Sequence, residues 1–202
     1  MFEIKISYDE LLSRLGYLKT KTKIKQNLLN VIVEIINLAN KLFAPKVAIA
    51  FSNDILINDV VFLNKKFKIK SDNIKQLLNN CFKVYGIFVT VGKALDDKIK
   101  DFGKRREFCA AAILDAAGSV AVEKVINIVN LKIKNYENKN GNILTRRYSP
   151  GYGDWKLESN KDFYNWVGAK KIGIILNDFY QMKPEKSISA LIGVTKNYNT
   201  MD

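Results

Sequence analysis

The segment whose residue types and spacing stand out for chemistry is Arg146-Arg147-Tyr148-Ser149-Pro150-Gly151-Tyr152-Gly153-Asp154-Trp155. Pro150-Gly151 suits the centre of a type II turn, and Gly153-Asp154 can form a second turn directly after it. Two rigid turns would present Tyr148, Tyr152 and Trp155 together with Arg147 and Asp154. A guanidinium fork beside aromatic faces suits a ligand that carries a carboxylate and a planar base. The same letters also suit a packed surface turn whose aromatics cover the core. On physical grounds alone, both alternatives stand.

The composition removes much else. The 202 residues include no histidine. That excludes Ser-His-Asp and Cys-His triads, His-ligated zinc, imidazole acid–base chemistry, and histidine ligation of a haem or corrinoid. Cys81 and Cys109 are far apart and form no CxxC pair, so a redox motif or four-thiolate site is unavailable. Lone thiols of this kind are expected to fill a core. Asp115 lies inside the apolar stretch Ala110–Ala121, where a carboxylate caps a neighbouring loop, accepts backbone N–H groups or serves a ligand.

Lys+Arg 33 against Asp+Glu 20 leaves a formal charge of +13, which points to an acidic partner: nucleic acid, anionic membrane or acidic protein. The cations cluster at Lys19, Lys21, Lys23 and Lys25, at Lys65, Lys66, Lys68 and Lys70, and at Lys98, Lys100, Lys104, Arg105 and Arg106. Such runs are solvated faces or docking sites for an acidic protein. They lack the interleaved aromatics of a single-strand platform, which counts against nucleic acid.

These groups need a scaffold. Tyr8–Leu15 is expected to form a short helix stopped by Gly16. Leu28, Val31, Ile32, Ile35, Ile36 and Ala39 recur at helical spacing within Lys25–Leu42, before Ala44-Pro45. Val47–Phe51, Ile55–Ile57 and Val60–Leu63 have strand character, and Phe67–Lys70 alternates like an edge strand. Ser71-Asp72-Asn73 can cap a helix reaching Asn80. Val84–Val91 is a continuous apolar run that suits a buried central strand. The longest helix is expected from Arg105 to Lys134, ended by the polar tract Asn135–Asn142. A helix around Lys161–Val167 and strands at Lys171–Leu176 and Ser187–Val194 follow.

The interspersed order favours an α+β fold: one domain over residues 1–202, with a mixed, largely antiparallel sheet flanked by helices. The start, Met1-Phe2-Glu3-Ile4-Lys5-Ile6, lacks the plan of a signal peptide. No apolar run approaches the ~20 residues of a membrane span. A soluble, cytoplasmic protein without membrane attachment is expected.

Arg147-Tyr148-Ser149-Pro150-Gly151-Tyr152 resembles the Arg-x-x-x-Gly-Tyr motif of the activation domain of cobalamin-dependent methionine synthase. The chain is more similar to that domain's short, free-standing relatives. Shared with them are the run Ser149–Trp155 followed by Leu157-Glu158, and Leu114-Asp115-Ala116-Ala117-Gly118-Ser119 with Val122-Glu123. The segment Met182–Ala190 and the early Leu15-Gly16-Tyr17 match as well. These matches cover nearly the whole chain in order.

The resemblance implies reductive reactivation. In the family, the domain holds S-adenosylmethionine over a cobalamin oxidised to inert cob(II)alamin while reduced flavodoxin delivers an electron. Irreversible methyl capture pulls the uphill reduction forward, so the task is positioning rather than acid–base catalysis. By the same resemblance, Arg147 binds the methionine carboxylate and the Ser149 backbone contacts the adenosine end. Tyr152 closes the pocket and faces the corrin, while Tyr148, Pro150 and Gly151 shape the loop. Asp154 and Trp155 are shared without an assigned contact. Cobalamin would arrive on a partner, a methionine synthase lacking this domain, and the electron donor would be acidic.

The chain departs from the large multidomain enzymes in three places. Gly141-Asn142-Ile143-Leu144 holds no carboxylate upstream of the motif arginine, and no equivalent of an early aspartate stands out among Asp9, Asp54 and Asp59. Only Tyr198 lies where those enzymes carry a tyrosine pair. Candidates for the acid beside a sulfonium are therefore Asp115, Asp154 and Glu158. Two alternatives remain: an accessory module of another corrinoid methyltransferase system, and a basic nucleic-acid-binding protein.

Overall fold

The computed structural model describes residues 3–17, 23–65 and 67–196; Met1, Phe2, Lys19, Lys21, Lys66 and Tyr198 lie outside the described residues. Ser7 and Glu10 form a reciprocal capping box on α1 (Tyr8–Arg14), and Gly16, at φ 80°, follows its end as expected. Helix α2 (Gln26–Leu42) buries Ile32, Ile35, Ile36 and Ala39. Strands β1 (Lys46–Ser52), β2 (Ile55–Ile57), β3 (Val61–Leu63) and β4 (Phe67–Ile69) lead to α3 (Asp72–Leu78), capped by the Ser71 hydroxyl. The expected buried strand is β5 (Lys83–Thr90). After α4 (Lys93–Lys104) and α5 (Phe108–Asn138) come β6 (Asn142–Leu144) and α6 (Asn160–Val167). The chain then makes a small hairpin, β7 (Ile175–Leu176) with β8 (Met182–Lys183), before β9 (Ser187–Lys196).

The main sheet has the order β1-β5-β9-β6, and each neighbouring pair is antiparallel. Both faces are covered, so its central strands show the two-residue side-chain period in where they bury apolar groups. Tyr85, Ile87, Val89, Ala190, Ile192 and Val194 pack with α1, α2, α4 and α5. Val84, Phe88 and Leu191 pack the other way, with the β2-β3-β4 sheet, α3, α6 and Trp155. Long α5 is the spine of the helical layer, and the fold class is the α+β arrangement expected.

Four expectations need correction. Helix α4 lies where only a basic run is expected: among its cations Leu95, Ile99 and Phe102 recur at helical spacing, and Leu95 and Phe102 are buried. Helix α5 does not stop at Lys134 but continues to Asn138. Its last turn is held by tertiary contacts, because buried Glu137 accepts hydrogen bonds from Lys83 Nζ (2.8 Å), Tyr85 Oη (2.6 Å) and Asn142 Nδ2 (2.7 Å). The strand expected over Lys171–Leu176 is cut down to Ile175–Leu176, because Lys171 and Ile172 belong to a 3₁₀ turn, Ala169–Ile172, flanked by Gly168 (φ 73°) and Gly173 (φ 83°). Finally, Cys109 is exposed in the first turn of α5 rather than buried, and Cys81 is half-buried.

On α4, Lys93 pairs with Asp97, Lys98 with Asp101, and Arg105 with Asp101 and Glu107. Lys98 and Arg105 of that basic run thus belong to a solvated ion-pair face. Among the described residues, no helix is long and apolar enough to cross a membrane.

Candidate functional site

Strand β6 is short, and its end leaves part of β9 open on the side away from β5. Leu144 faces Val194 and Tyr148 faces Leu191, so three residues, 145–147, oppose two, 192–193. One extra residue is thus accommodated as in a β-bulge, a device that bends a strand and re-aims side chains. Arg147 sits in this bulge. Leu191 exchanges both backbone hydrogen bonds with Tyr148 (3.0 and 2.7 Å), so odd-numbered residues of β9 direct their peptide groups toward this side. By that alternation the N–H groups of Ser187 and Ser189 face the open edge. The Ser189 carbonyl accepts the Ser149 hydroxyl at 2.6 Å.

Beyond the bulge the two expected turns are present. Tyr152 N–H donates to the Ser149 carbonyl (3.3 Å) and Trp155 N–H to that of Tyr152 (3.0 Å), while Gly151 N–H closes onto the Trp155 carbonyl at 2.7 Å. Gly151 has φ 95°, the positive value a type II turn needs at its third residue. At Gly153 a Cβ would run into the Tyr148 hydroxyl and the Asn73 amide, which bond each other at 3.0 Å, so this position needs the space as well as its φ of 53°.

The loop, the β9 edge, α5 and β8 enclose a groove of about 1090 Å³. Arg147, Tyr148, Ser149, Pro150 and Tyr152 line it; Gly151 belongs to the turn without lining the groove. The Arg147 side chain is 32% exposed; Nη1 is buried with no hydrogen-bond partner, and Nη2 lies 3.9 Å from Glu123 Oε2. Pro150 is buried and Tyr152 is 68% exposed at the rim.

Other sequence candidates have different work. Asp154 accepts the Ser71 hydroxyl (2.5 Å) and the Asp72 backbone N–H (2.6 Å), tying the loop to the start of α3. The Ser71 hydroxyl, with the Asp72 and Asn73 amides, holds the Asp154 carboxyl below the usual carboxylate range. Trp155 is fully buried, stacked with Tyr148 and tilted against Phe163, so it anchors the loop. Asp115 pairs with Lys186 at 2.7 Å and does not line the groove; Glu158 is exposed in the turn Leu157–Ser159 and does not line it either. The acids that do line it are Glu123, from α5, and Glu185, ahead of β9. Neither stands out as a site residue in the sequence. Glu123 had one signal: it follows Asp115 and Ser119 at four-residue intervals on α5, as a residue on the same helix face does.

No family model and no curated protein matches the chain. Among solved structures, the crystal structure of the MetH reactivation domain bound to AdoHcy is similar with a TM-score of 0.64 at 12% identity. The match covers 94% of this chain and 70% of that one. The chain has the fold of that domain, an antiparallel sheet flanked by helices.

Proposed function

We propose that the protein binds S-adenosylmethionine in this groove and supports reductive methylation of a cob(II)alamin carried by a partner protein. The observation that carries the proposal is Arg147: a guanidinium thrown into the groove by a bulge, with Nη1 unpartnered and an acid alongside. A ligand with adjacent carboxylate and ammonium groups complements that pair. The fold shared with a domain solved with AdoHcy supports the same ligand class.

In this proposal Arg147 takes the carboxylate and Glu123 the ammonium of the amino-acid end. Ser149 and the edge-facing N–H groups of Ser187 and Ser189 face the polar edge of the adenosine end. Tyr152, exposed at the rim, lies where a corrinoid carrier would dock. S-adenosylmethionine supplies the methyl group, and the chain positions it without proton transfer, so the absence of histidine is no handicap. The partner would be a cobalamin-binding methionine synthase or another corrinoid protein. An acidic electron donor such as flavodoxin would meet the exposed cations Lys100, Lys104 and Arg106, where complementary charge speeds encounter.

The test is reconstitution. A methionine synthase lacking its reactivation domain and held as cob(II)alamin is mixed with reduced flavodoxin, S-adenosylmethionine and this protein. Formation of methylcobalamin, followed by absorbance, is expected only when all components are present. No dependence on this protein would refute the proposal.

A further inference from the structure

The run Leu114-Asp115-Ala116-Ala117-Gly118-Ser119 lies outside the groove, yet three of its residues share one face of α5 and converge on a single side chain. Lys186 Nζ donates to Asp115 Oδ1 (2.7 Å) and Ser119 Oγ (3.1 Å). The Ser119 hydroxyl donates back to the Asp115 carbonyl (3.2 Å), which leaves its lone pairs free for the ammonium. At Gly118 a Cβ would meet Lys186 Cγ at 2.9 Å and would clash with Leu95, so glycine opens the channel through which the lysine stem passes. The lysine is 13% exposed, while Asp115 is 51% exposed. Spacings of three and four residues put Asp115, Gly118 and Ser119 side by side, whereas Leu114, Ala117 and Ala121 face the core.

Lys186 belongs to a segment that lines the groove together with Arg147. Its neighbours Glu185 and Ser187 line the groove. Other bonds pin the same segment: Glu185 N–H donates to Asp96 Oδ2 (2.6 Å), Val91 N–H to the Lys186 carbonyl (3.1 Å), and the Ser187 hydroxyl to the Pro184 carbonyl (2.7 Å). The side-chain seat adds α5 to the anchors from α4 and from Val91, just past the end of β5.

We infer that Asp115 and Ser119 are positioning residues: by seating Lys186 they fix the wall formed by Glu185, Ser187 and Ser189 and keep a cation directed away from the groove. A loosened wall would misplace the Ser187 and Ser189 N–H groups, and a freed ammonium would add positive charge beside a groove that is to hold a cationic ligand. The device acts through Lys186 and touches no ligand itself. Its effect on affinity rests on the function proposed above; its effect on the wall does not.

The experiment has two arms, applied to the wild type, Asp115→Ala, Ser119→Ala and the exchanged pair Asp115→Lys with Lys186→Asp. The first measures amide hydrogen exchange at Val91 and Glu185 without ligand, with the Leu114 amide as a global control. Asp115→Ala should raise exchange at the two wall amides by roughly tenfold with little change at Leu114, Ser119→Ala should act in the same direction, and the exchanged pair should reverse the effect. Unchanged wall amides, or an equal rise at Leu114, would overturn the inference. If Asp115→Ala fails to fold, Ser119→Ala decides by the same criterion. The second arm titrates S-adenosylhomocysteine. Weakening by roughly fivefold in Asp115→Ala, with recovery in the exchanged pair, is expected for an uncompensated half-buried charge. Unaltered affinity would overturn the coupling to the groove. A wild type that does not bind would instead strike at the proposed function, leaving the exchange arm to decide the seat.

Discussion

Arg147 Nη2 lies 3.9 Å from Glu123 Oε2, bringing a strand bulge and the long helix α5 together across the groove. The contact is long, and Glu123 is 60% exposed, so the pair is loosely held and screened by water. Exposed pairs of this kind contribute only ~0–1 kcal/mol to stability. The arrangement is thus cheap to open for a ligand with its own carboxylate and ammonium.

Glu123→Gln should therefore leave the thermal midpoint within a few degrees of wild type, as expected for a loss below ~1 kcal/mol. Affinity for S-adenosylmethionine should fall by roughly fivefold through loss of a charge-assisted bond. Calorimetric titration and thermal unfolding check both halves.

Asp154 gives a stability effect with a defined pH sign. Asp154→Ala should cost about 1 kcal/mol by releasing the loop from the start of α3. Its folded carboxyl titrates below its unfolded range, so the stabilisation is present above the unfolded pKa and is lost as pH falls through the folded one. The gap in unfolding midpoint between wild type and Asp154→Ala should be full at neutral pH and shrink below about pH 4.

Buried Glu137 should be the most sensitive carboxylate in the helical layer. Burial alone would raise its pKa, but hydrogen bonds from Lys83, Tyr85 and Asn142 outweigh it and hold the carboxyl low. Glu137→Ala would strand the Lys83 ammonium, which is 15% exposed, and should destabilise by about 3 kcal/mol in urea denaturation. This contribution too is present above the unfolded carboxylate pKa and is lost on acidification through the folded value.

The two thiols should separate cleanly. Burial pushes the Cys81 thiol up to about 11, whereas Cys109 is exposed. Iodoacetamide at pH 8 should label Cys109 alone in the folded protein and both residues in denaturant, as read by peptide mass spectrometry.

The sequence and the structure agree where local chemistry dominates. Ser71 and Gly16 bound their elements as a side chain or the lack of one requires, and Pro150-Gly151 makes its turn. The β-branched run in β5 is buried on both faces as its composition implies. What was not legible depends on distant partners. Helix α5 continues through Asn135 and Tyr136 because Lys83 and Tyr85, far away in the chain, satisfy Glu137. The bulge that aims Arg147 exists only once β9 supplies its register. Asp154 and Trp155 share the signature run with Arg147, yet one caps α3 and the other fills the core. Conversely, Glu123 lies in an ordinary helical stretch, and only the folded chain brings it to the guanidinium.

The central claim is that the groove grips the amino-acid end of S-adenosylmethionine through Arg147. Isothermal titration of that ligand into the wild type and Arg147→Ala, matched for thermal midpoint, tests it most directly. A saturable heat in the wild type, weakened by roughly 30-fold in the variant for a lost charge-assisted bond of ~2 kcal/mol, is the expected result. No heat at millimolar ligand, or equal affinity in both proteins, would contradict it.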